Sequence, residues 1–247
     1  MDKKLKLEAK NIKKAFPGLD TLKDVSIRVE KQQLVSIIGP SGCGKSTLFD
    51  IISGLTKPDS GKVFIDSEDY TGRSGRVSYM HQKDLLLPWF DILTNVGLPL
   101  RIKGIDKKKI IEMALKNFKT FGLEGFENKF PSQLSGGMRQ RAALLRTYLF
   151  SEDIMLLDEP FGSLDAITRR KMQLWLLEIL AKIKASMLFI THDIDEAIFL
   201  SDKIYLLTYR PAVVKKVFDI DIKRPRDNDT FTSESFNKIK SKIIKML

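Results

Sequence analysis

The stretch Gly39-Pro40-Ser41-Gly42-Cys43-Gly44-Lys45-Ser46-Thr47 limits what this chain can fold into more than any other. Its spacing, G-x-x-x-x-G-K-[ST], is that of a loop that cradles phosphate. Glycines at 42 and 44 let the backbone bend so that successive N–H groups point inward at phosphate oxygens. A helix starting near Lys45 adds the positive end of its dipole. Lys45 can reach the outer phosphates, and the Ser46 hydroxyl can take a place on Mg²⁺. The flanks agree with this. Leu34-Val35-Ser36-Ile37-Ile38 reads as a buried strand, and residues 46–55 read as a helix stopped by Pro58. Alone, the loop says nucleotide and does not say what the nucleotide is for.

The 247 residues, 43% hydrophobic, suffice for one large domain or two lobes with a real core. The single cysteine, Cys43, rules out an intrachain disulfide. It lies inside the loop, either as a small filler or as a thiol whose pKa the helix start lowers. The beginning, residues 1–10, is charged and carries no signal-peptide pattern, and no run approaches ~18 apolar residues, so a cytoplasmic protein is expected. The +11 net charge comes from 42 basic and 31 acidic residues. Such charge suits nucleotides, nucleic acid or an anionic membrane face. With 30 lysines against 12 arginines and no aromatic clusters among them, it is read as a solvated surface.

Leu5-Lys6-Leu7-Glu8 and Val25-Ser26-Ile27-Arg28-Val29-Glu30 alternate as half-buried antiparallel strands do. Between them Lys14-Ala15-Phe16-Pro17-Gly18 reads as a turn, with Phe16 placed to stack on an adenine or to pack the turn. Pro58-Asp59-Ser60-Gly61 is a turn into a further strand, 62–65. Residues 77–80 form another, delivering Gln82 at its end; His81 is read as a loop residue. The character then changes. Leu85-Leu86-Leu87-Pro88-Trp89-Phe90 is a dense apolar patch, either core or a docking surface, and 91–130 is helical with glycine breaks.

Ser135-Gly136-Gly137 opens a helix reaching about residue 150, with Ser135 as N-cap, and makes a second anion site at a helix start. Ile154-Met155-Leu156-Leu157 reads as a central parallel strand, delivering Asp158 and Glu159 at its carboxyl end, where open α/β sheets bind ligands. On a strand, adjacent acids face opposite ways, so they need different tasks. Asp158 suits Mg²⁺ through water, and Glu159 suits polarising an attacking water. Gly162-Ser163-Leu164-Asp165 turns into a helix over 165–184. A strand over 186–190 follows, ending at Thr191-His192-Asp193 and placing His192 on the same ligand edge. Strands over 203–208 and 213–222 complete the set. After Pro225 a basic amphipathic helix carries Phe236, Ile239, Ile243 and Leu247 on one face, suited to packing on its own domain or to a membrane surface.

In order, residues 39–47, Gln82, Leu134-Ser135-Gly136-Gly137-Met138-Arg139-Gln140, Ile154-Met155-Leu156-Leu157-Asp158-Glu159-Pro160, Ser163-Leu164-Asp165 and His192 resemble the ATPase subunit of ABC transporters. They are similar to its Walker A, Q-loop, signature, Walker B, D-loop and H-loop. The resemblance covers essentially the whole chain. The adenine-stacking aromatic, often Tyr, is here Phe16, and the usual Gln after Ser-Gly-Gly is Met138. Leu87-Pro88-Trp89, Asn95-Val96-Gly97-Leu98-Pro99-Leu100, Thr191-His192-Asp193-Ile194-Asp195-Glu196-Ala197 and Arg224-Pro225-Arg226 resemble the nitrate/sulfonate/taurine-type importers, whose relatives also serve thiamine-precursor pyrimidines.

The resemblance implies an α/β P-loop NTPase (RecA-like) core with a mainly parallel sheet, an antiparallel β subdomain and an α-helical subdomain. The expected bounds are 1–82 and 151–222 for the core, 83–150 for the helical part and 223–247 for the basic tail. ATP and Mg²⁺ are the implied cofactors. Two copies are expected head to tail, with ATP between Gly39, Pro40, Ser41, Gly42, Cys43, Gly44, Lys45, Ser46 and Thr47 of one and Ser135, Gly136 and Gly137 of the other. Two separate anion-binding helix starts make sense of that, since one phosphate tail bridges them across an interface. The resemblance makes Glu159 the general base, with Gln82 and His192 sensing Mg²⁺, water and γ-phosphate, Asp165 organising the facing site, and Ser46, Gln82 and Asp158 serving the metal. Permease subunits, and through them a solute-binding protein, are the expected partners at the cytoplasmic membrane face; nucleic acid is not. The alternatives are an export or lipoprotein-release ATPase and, in another class, an ABC-type ATPase acting on nucleic acid or the ribosome. The latter usually carries a long coiled coil or tandem cassettes, and the helical insert here has no sustained heptads.

Overall fold

The structure is a computed structural model that describes residues 4–151 and 153–247. The first three residues of the amino-terminal segment expected to lack a signal, and residue 152 at the boundary of the expected core, lie outside the described residues. The chain divides into two compact units, 1–76 with 185–247, and 77–184.

The first unit is built on strands β1 (Leu5–Phe16), β2 (Leu19–Glu30) and β3 (Leu34–Ile38), helix α1 (Lys45–Ile52), and strands β4 (Ser60–Ile65) and β5 (Glu68–Asp69). The second holds β6 (Ser78–Met80), helices α2 (Ile92–Ile102), α3 (Lys107–Phe118) and α4 (Gly136–Phe150), strand β7 (Ile154–Asp158) and helix α5 (Ala166–Ile183). The chain returns to the first unit with β8 (Ser186–Ile190), α6 (Ile194–Leu200), β9 (Lys203–Leu207), β10 (Ala212–Asp219) and α7 (Glu234–Ile244).

In the first unit the strand order is β5-β4-β1-β2-β10-β9-β3-β8. β3 is parallel to both β8 and β9, and every residue of β3 and β8 is buried. This explains their unbroken apolar character: a strand covered on both faces has no reason to alternate. β1 pairs antiparallel with β2 and β4, forming the expected antiparallel layer. β1 and β2 run further than their alternation suggested. β1 reaches Phe16, so the ring stands at a strand end with only Pro17-Gly18 as the turn. α1 stops at Ile52, short of the expected 55, and β10 stops at Asp219, short of 222.

α7 lays its apolar face on its own unit. Phe236 and Ile243 are buried, and Phe236 packs on Phe231 (5.0 Å), which stacks on Phe199 of α6 (4.3 Å). Burying one such ring stabilises by about 1.5–3 kcal/mol. Lys240 pairs with Asp195 at 2.8 Å, while Leu247 at the end of the same face is exposed. The Arg-Pro-Arg segment locks the C-terminal end of α6. Arg226 donates to the carbonyls of Ile198 (3.0 Å), Phe199 (2.9 Å) and Ser201 (2.8 Å), so a buried cation satisfies carbonyls the helix leaves open. Burial lowers its pKa to about 10.

In the second unit β6 and β7 pair in parallel, and α2 starts at the Asp91 N-cap. Buried Asn95 of α2 fastens the Pro-Trp-Phe segment. Its amide donates to Leu87 O (3.1 Å) and Phe90 O (3.0 Å), and its Oδ1 accepts from Leu87 N–H (2.7 Å). The apolar patch is thereby divided: Leu86 is buried, whereas Leu85 and Trp89 (66% exposed) face out. Among the described residues no helix is long and apolar enough to cross a membrane.

Candidate functional site

In the first unit the phosphate loop runs from the end of β3 into α1. Gly42 (φ 73°) and Gly44 (φ 114°) take left-handed backbone that other residues resist, and Gly44 is the N-cap of α1 with no side chain to cover the helix N–H groups. The loop is therefore built from backbone donors. Lys45 is 8% exposed, and its Nζ donates to Gly39 O (2.8 Å) and Pro40 O (2.9 Å). Its ammonium thus rests on the loop's own carbonyls. Ser46 and Ser41 are exposed, and Thr47 is half-buried.

Cys43 departs from one expectation. It is 2% exposed, and burial pushes its thiol up; the Lys45 charge and nearby N–H groups pull the other way and do not win. The helix start does not make it a thiolate, so Cys43 serves as the small filler behind the loop. Phe16 is 41% exposed, with Lys14 Nζ 5.4 Å from its ring centroid. Lys14 is held by Asp59 (2.9 Å), which also accepts from Ala15 N–H (2.6 Å). One charged pair thus stands beside the ring. His192 follows β8 as an exposed residue just before α6.

In the second unit Glu159 corrects the sequence-based placement. β7 ends at Asp158, and Glu159 has φ 45°, so the two acids are not alternate residues of one strand. A turn closed by Gly162 N–H on Glu159 O (3.1 Å) carries the carboxylate to Gln82, whose Nε2 donates to Glu159 Oε2 at 3.0 Å. A left-handed glutamate costs about 1–3 kcal/mol, which the surrounding turn must hold. Asp158 accepts from Tyr79 OH (3.3 Å), and Tyr79 stacks on His81 (4.1 Å). The residues after Gln82 are gripped by α4: Arg139 pairs with Asp84 (3.3 Å), and Arg146 donates to Leu85 O (2.7 Å) and to Asp84 O.

Ser135 caps α4 as expected, its Oγ accepting from Met138 N–H at 3.3 Å. Ser135 is exposed and Gly137 is buried, with Gly136 between. Asp165 caps α5, accepting from the N–H groups of Ile167 (3.1 Å) and Thr168 (3.0 Å); the Thr168 hydroxyl, with these N–H groups, lowers its pKa. Reasoning from sequence missed Tyr79, the Lys14–Asp59 brace and Arg210, whose guanidinium lies at Gly42.

Residues 22–162 match the ABC transporter family model. The formylaminopyrimidine import ATP-binding protein of Halalkalibacterium halodurans is 48% identical over 76% of this chain and 73% of its own length. The aliphatic sulfonates import ATP-binding protein of Bacillus cereus (strain ATCC 10987 / NRS 248) is 39% identical over 96% of this chain and 92% of its own. Among solved structures, the dimeric ATP-binding cassette MJ0796 in a post-hydrolysis state with ADP and Pi is 30% identical. It matches with a TM-score of 0.73 over 88% of this chain and all of that one. The chain therefore belongs to the ABC transporter family, on the branch that holds these import ATP-binding proteins.

Proposed function

We propose that this chain is the ATP-binding and ATP-hydrolysing subunit that powers import of a small solute, of the class the sulfonate and formylaminopyrimidine relatives are named for. The observation that carries the reading is the Gly42–Gly44 loop, with Lys45 parked on its own carbonyls. Two such subunits pair head to tail, so that the loop of one copy and Ser135, Gly136 and Gly137 of the other hold one ATP. The cassette named above, a dimer with ADP and Pi, supports this. Permease subunits anchor the pair at the cytoplasmic membrane face and link it to a solute-binding protein.

Glu159 is the base that takes a proton from the attacking water, and Gln82 holds that carboxylate until nucleotide arrives. His192 steadies the γ-phosphate, Asp165 orders the turn facing the second copy, and Phe16 stacks the base. Mg²⁺, when bound, neutralises charge on the outer phosphates. Ser46, Gln82 and Asp158 offer the hard oxygen donors and single carboxylate that such an ion accepts.

The test is hydrolysis by the purified chain together with Glu159→Gln. Turnover of the variant should fall ~10²–10⁴-fold, while ATP makes it elute as a dimer. A variant that hydrolyses normally removes Glu159 from the role.

A further inference from the structure

The hairpin between β9 and β10 is seated on the phosphate loop of the same unit. Leu207, the last residue of β9, has its Cβ and carbonyl oxygen 3.1 Å from where a Cβ on Gly39 would lie. Pro40 lines a cavity of about 240 Å³ with Leu207, Thr208, Tyr209 and Lys215. The hairpin is closed at its base: Thr208 N–H donates to Val213 O (3.0 Å), and Val213 N–H donates to Thr208 Oγ1 (3.0 Å). These bonds fix the geometry of the turn that carries the tip.

Arg210 stands at that tip. Its Nη2 lies 2.7 Å from the position a Cβ on Gly42 would take, so the guanidinium touches the outer corner of the cradle. Arg210 is exposed, and among the described residues no hydrogen bond or ion pair engages it. Its charge is felt at Cys43, one residue further along the loop. Three of the other arginines of this unit are committed. Arg226 and Arg224 are spent on the carbonyls of α6 and on Asp202, and Arg76 on Asp66. The loop's own cation, Lys45, lies inside on Gly39 O and Pro40 O. An unengaged guanidinium at a phosphate-shaped corner is suited to an anion, because its planar fork presents paired donors to phosphate oxygens.

We propose that Arg210 is a second cationic contact for the polyphosphate chain of the bound nucleotide, closing on it from the Gly42 corner. This rests on the nucleotide reading of the loop. It also gives Gly42 a second reason to be glycine, since any side chain there would displace the guanidinium.

The experiment titrates the full chain with a fluorescent ATP analogue, and with inorganic tripolyphosphate as competitor, for the wild type, Arg210→Ala and Arg210→Lys. Arg210→Ala should weaken both ligands by about tenfold at low salt, the scale of one charge-assisted hydrogen bond, and by less at high salt. Arg210→Lys should recover part of the loss. The melting temperature of the nucleotide-free protein should be the same for all three. Unchanged affinities in Arg210→Ala overturn the proposal, as does a loss of affinity accompanied by a lower melting temperature, which would mark Arg210 as a brace for the loop. Failure of the wild type itself to bind ATP brings down the nucleotide reading instead.

Discussion

Two helix starts are the candidate anion sites of this chain, and they are made differently. At α1 the chain uses backbone: two left-handed glycines, no capping side chain, and a buried lysine turned onto the loop's own carbonyls. At α4 it uses a side chain: Ser135 is exposed, in ordinary extended conformation, and its hydroxyl covers the Met138 N–H. The first already holds a cation, Lys45, on its own carbonyls. At the second the nearest cation, Arg139, is engaged with Leu134 O (2.8 Å) and Asp84 (3.3 Å). A loop of the first kind should bind nucleotide in a lone chain, whereas a cap of the second kind should matter only when another surface is brought against it.

The sharpest way to break this contrast is to damage each start in turn. Lys45→Ala removes charge-assisted hydrogen bonds worth about 1.5–3 kcal/mol, so ATP affinity should fall at least tenfold in a nucleotide titration. Ser135→Arg should leave the affinity of the lone chain within about twofold, yet turnover should collapse by ~10² or more, as when a preorganised donor is lost from a transition state. ATP should no longer draw two copies together in sedimentation. If Ser135→Arg weakened ATP binding as Lys45→Ala does, the two starts would be one site within a single chain.

A smaller effect compares one glycine from each start. At Gly44 an alanine Cβ would sit 2.8 Å from Thr21 Cγ2 and 2.9 Å from Leu22 Cδ2, on backbone at φ 114°. Gly44→Ala should cost about 1–3 kcal/mol in urea unfolding, because both the backbone and the neighbours resist it. Gly136 has no positive φ, and a Cβ there meets only side-chain ends, Leu164 Cδ2 at 3.3 Å and Arg139 Nη2 at 3.9 Å. Gly136→Ala should stay within about 0.5 kcal/mol of the wild type. Equal losses would mean that α4, too, starts from a strained turn.

The same contrast explains what could be read in the sequence. Whatever rests on local pattern was legible: the continuous apolar runs of β3, β7 and β8, the glycine spacing at 39–44, and the cap Ser135 ahead of its helix; Asp165, read as the first residue of its helix, is instead the cap. Gln82 and Glu159 were found as separate residues, but their 3.0 Å contact was not, because it depends on a left-handed glutamate that residue preference argues against. Arg210 at Gly42, Asp59 bracing Lys14 beneath Phe16, and Tyr79 on Asp158 each join segments far apart in the chain. No period or motif records such pairings; only the folded packing does. Cys43 shows the same limit from the other side. Its position in the loop left open a small filler or a thiol with a lowered pKa, and its burial, which raises the pKa, favours the filler.

The smallest expected effect separates two caps within the second unit. Asp165 and Ser135 do the same job at the starts of α5 and α4, but only Asp165 titrates. The Thr168 hydroxyl, followed by the Thr168 and Ile167 N–H groups, holds its carboxyl below the usual aspartate range. The unfolded chain keeps the ordinary value of about 3.9. A carboxyl whose pKa is lower when folded adds stability above the unfolded value, and this is lost as pH falls through the folded one. Asp165→Asn keeps a good N-cap while removing the titration. Its urea midpoint should therefore lie slightly below wild type at pH 7, and the gap should close as pH drops from about 5 to 3. A gap that stayed constant over that range would show that the Asp165 charge contributes nothing at the start of α5. Both caps would then act through geometry alone.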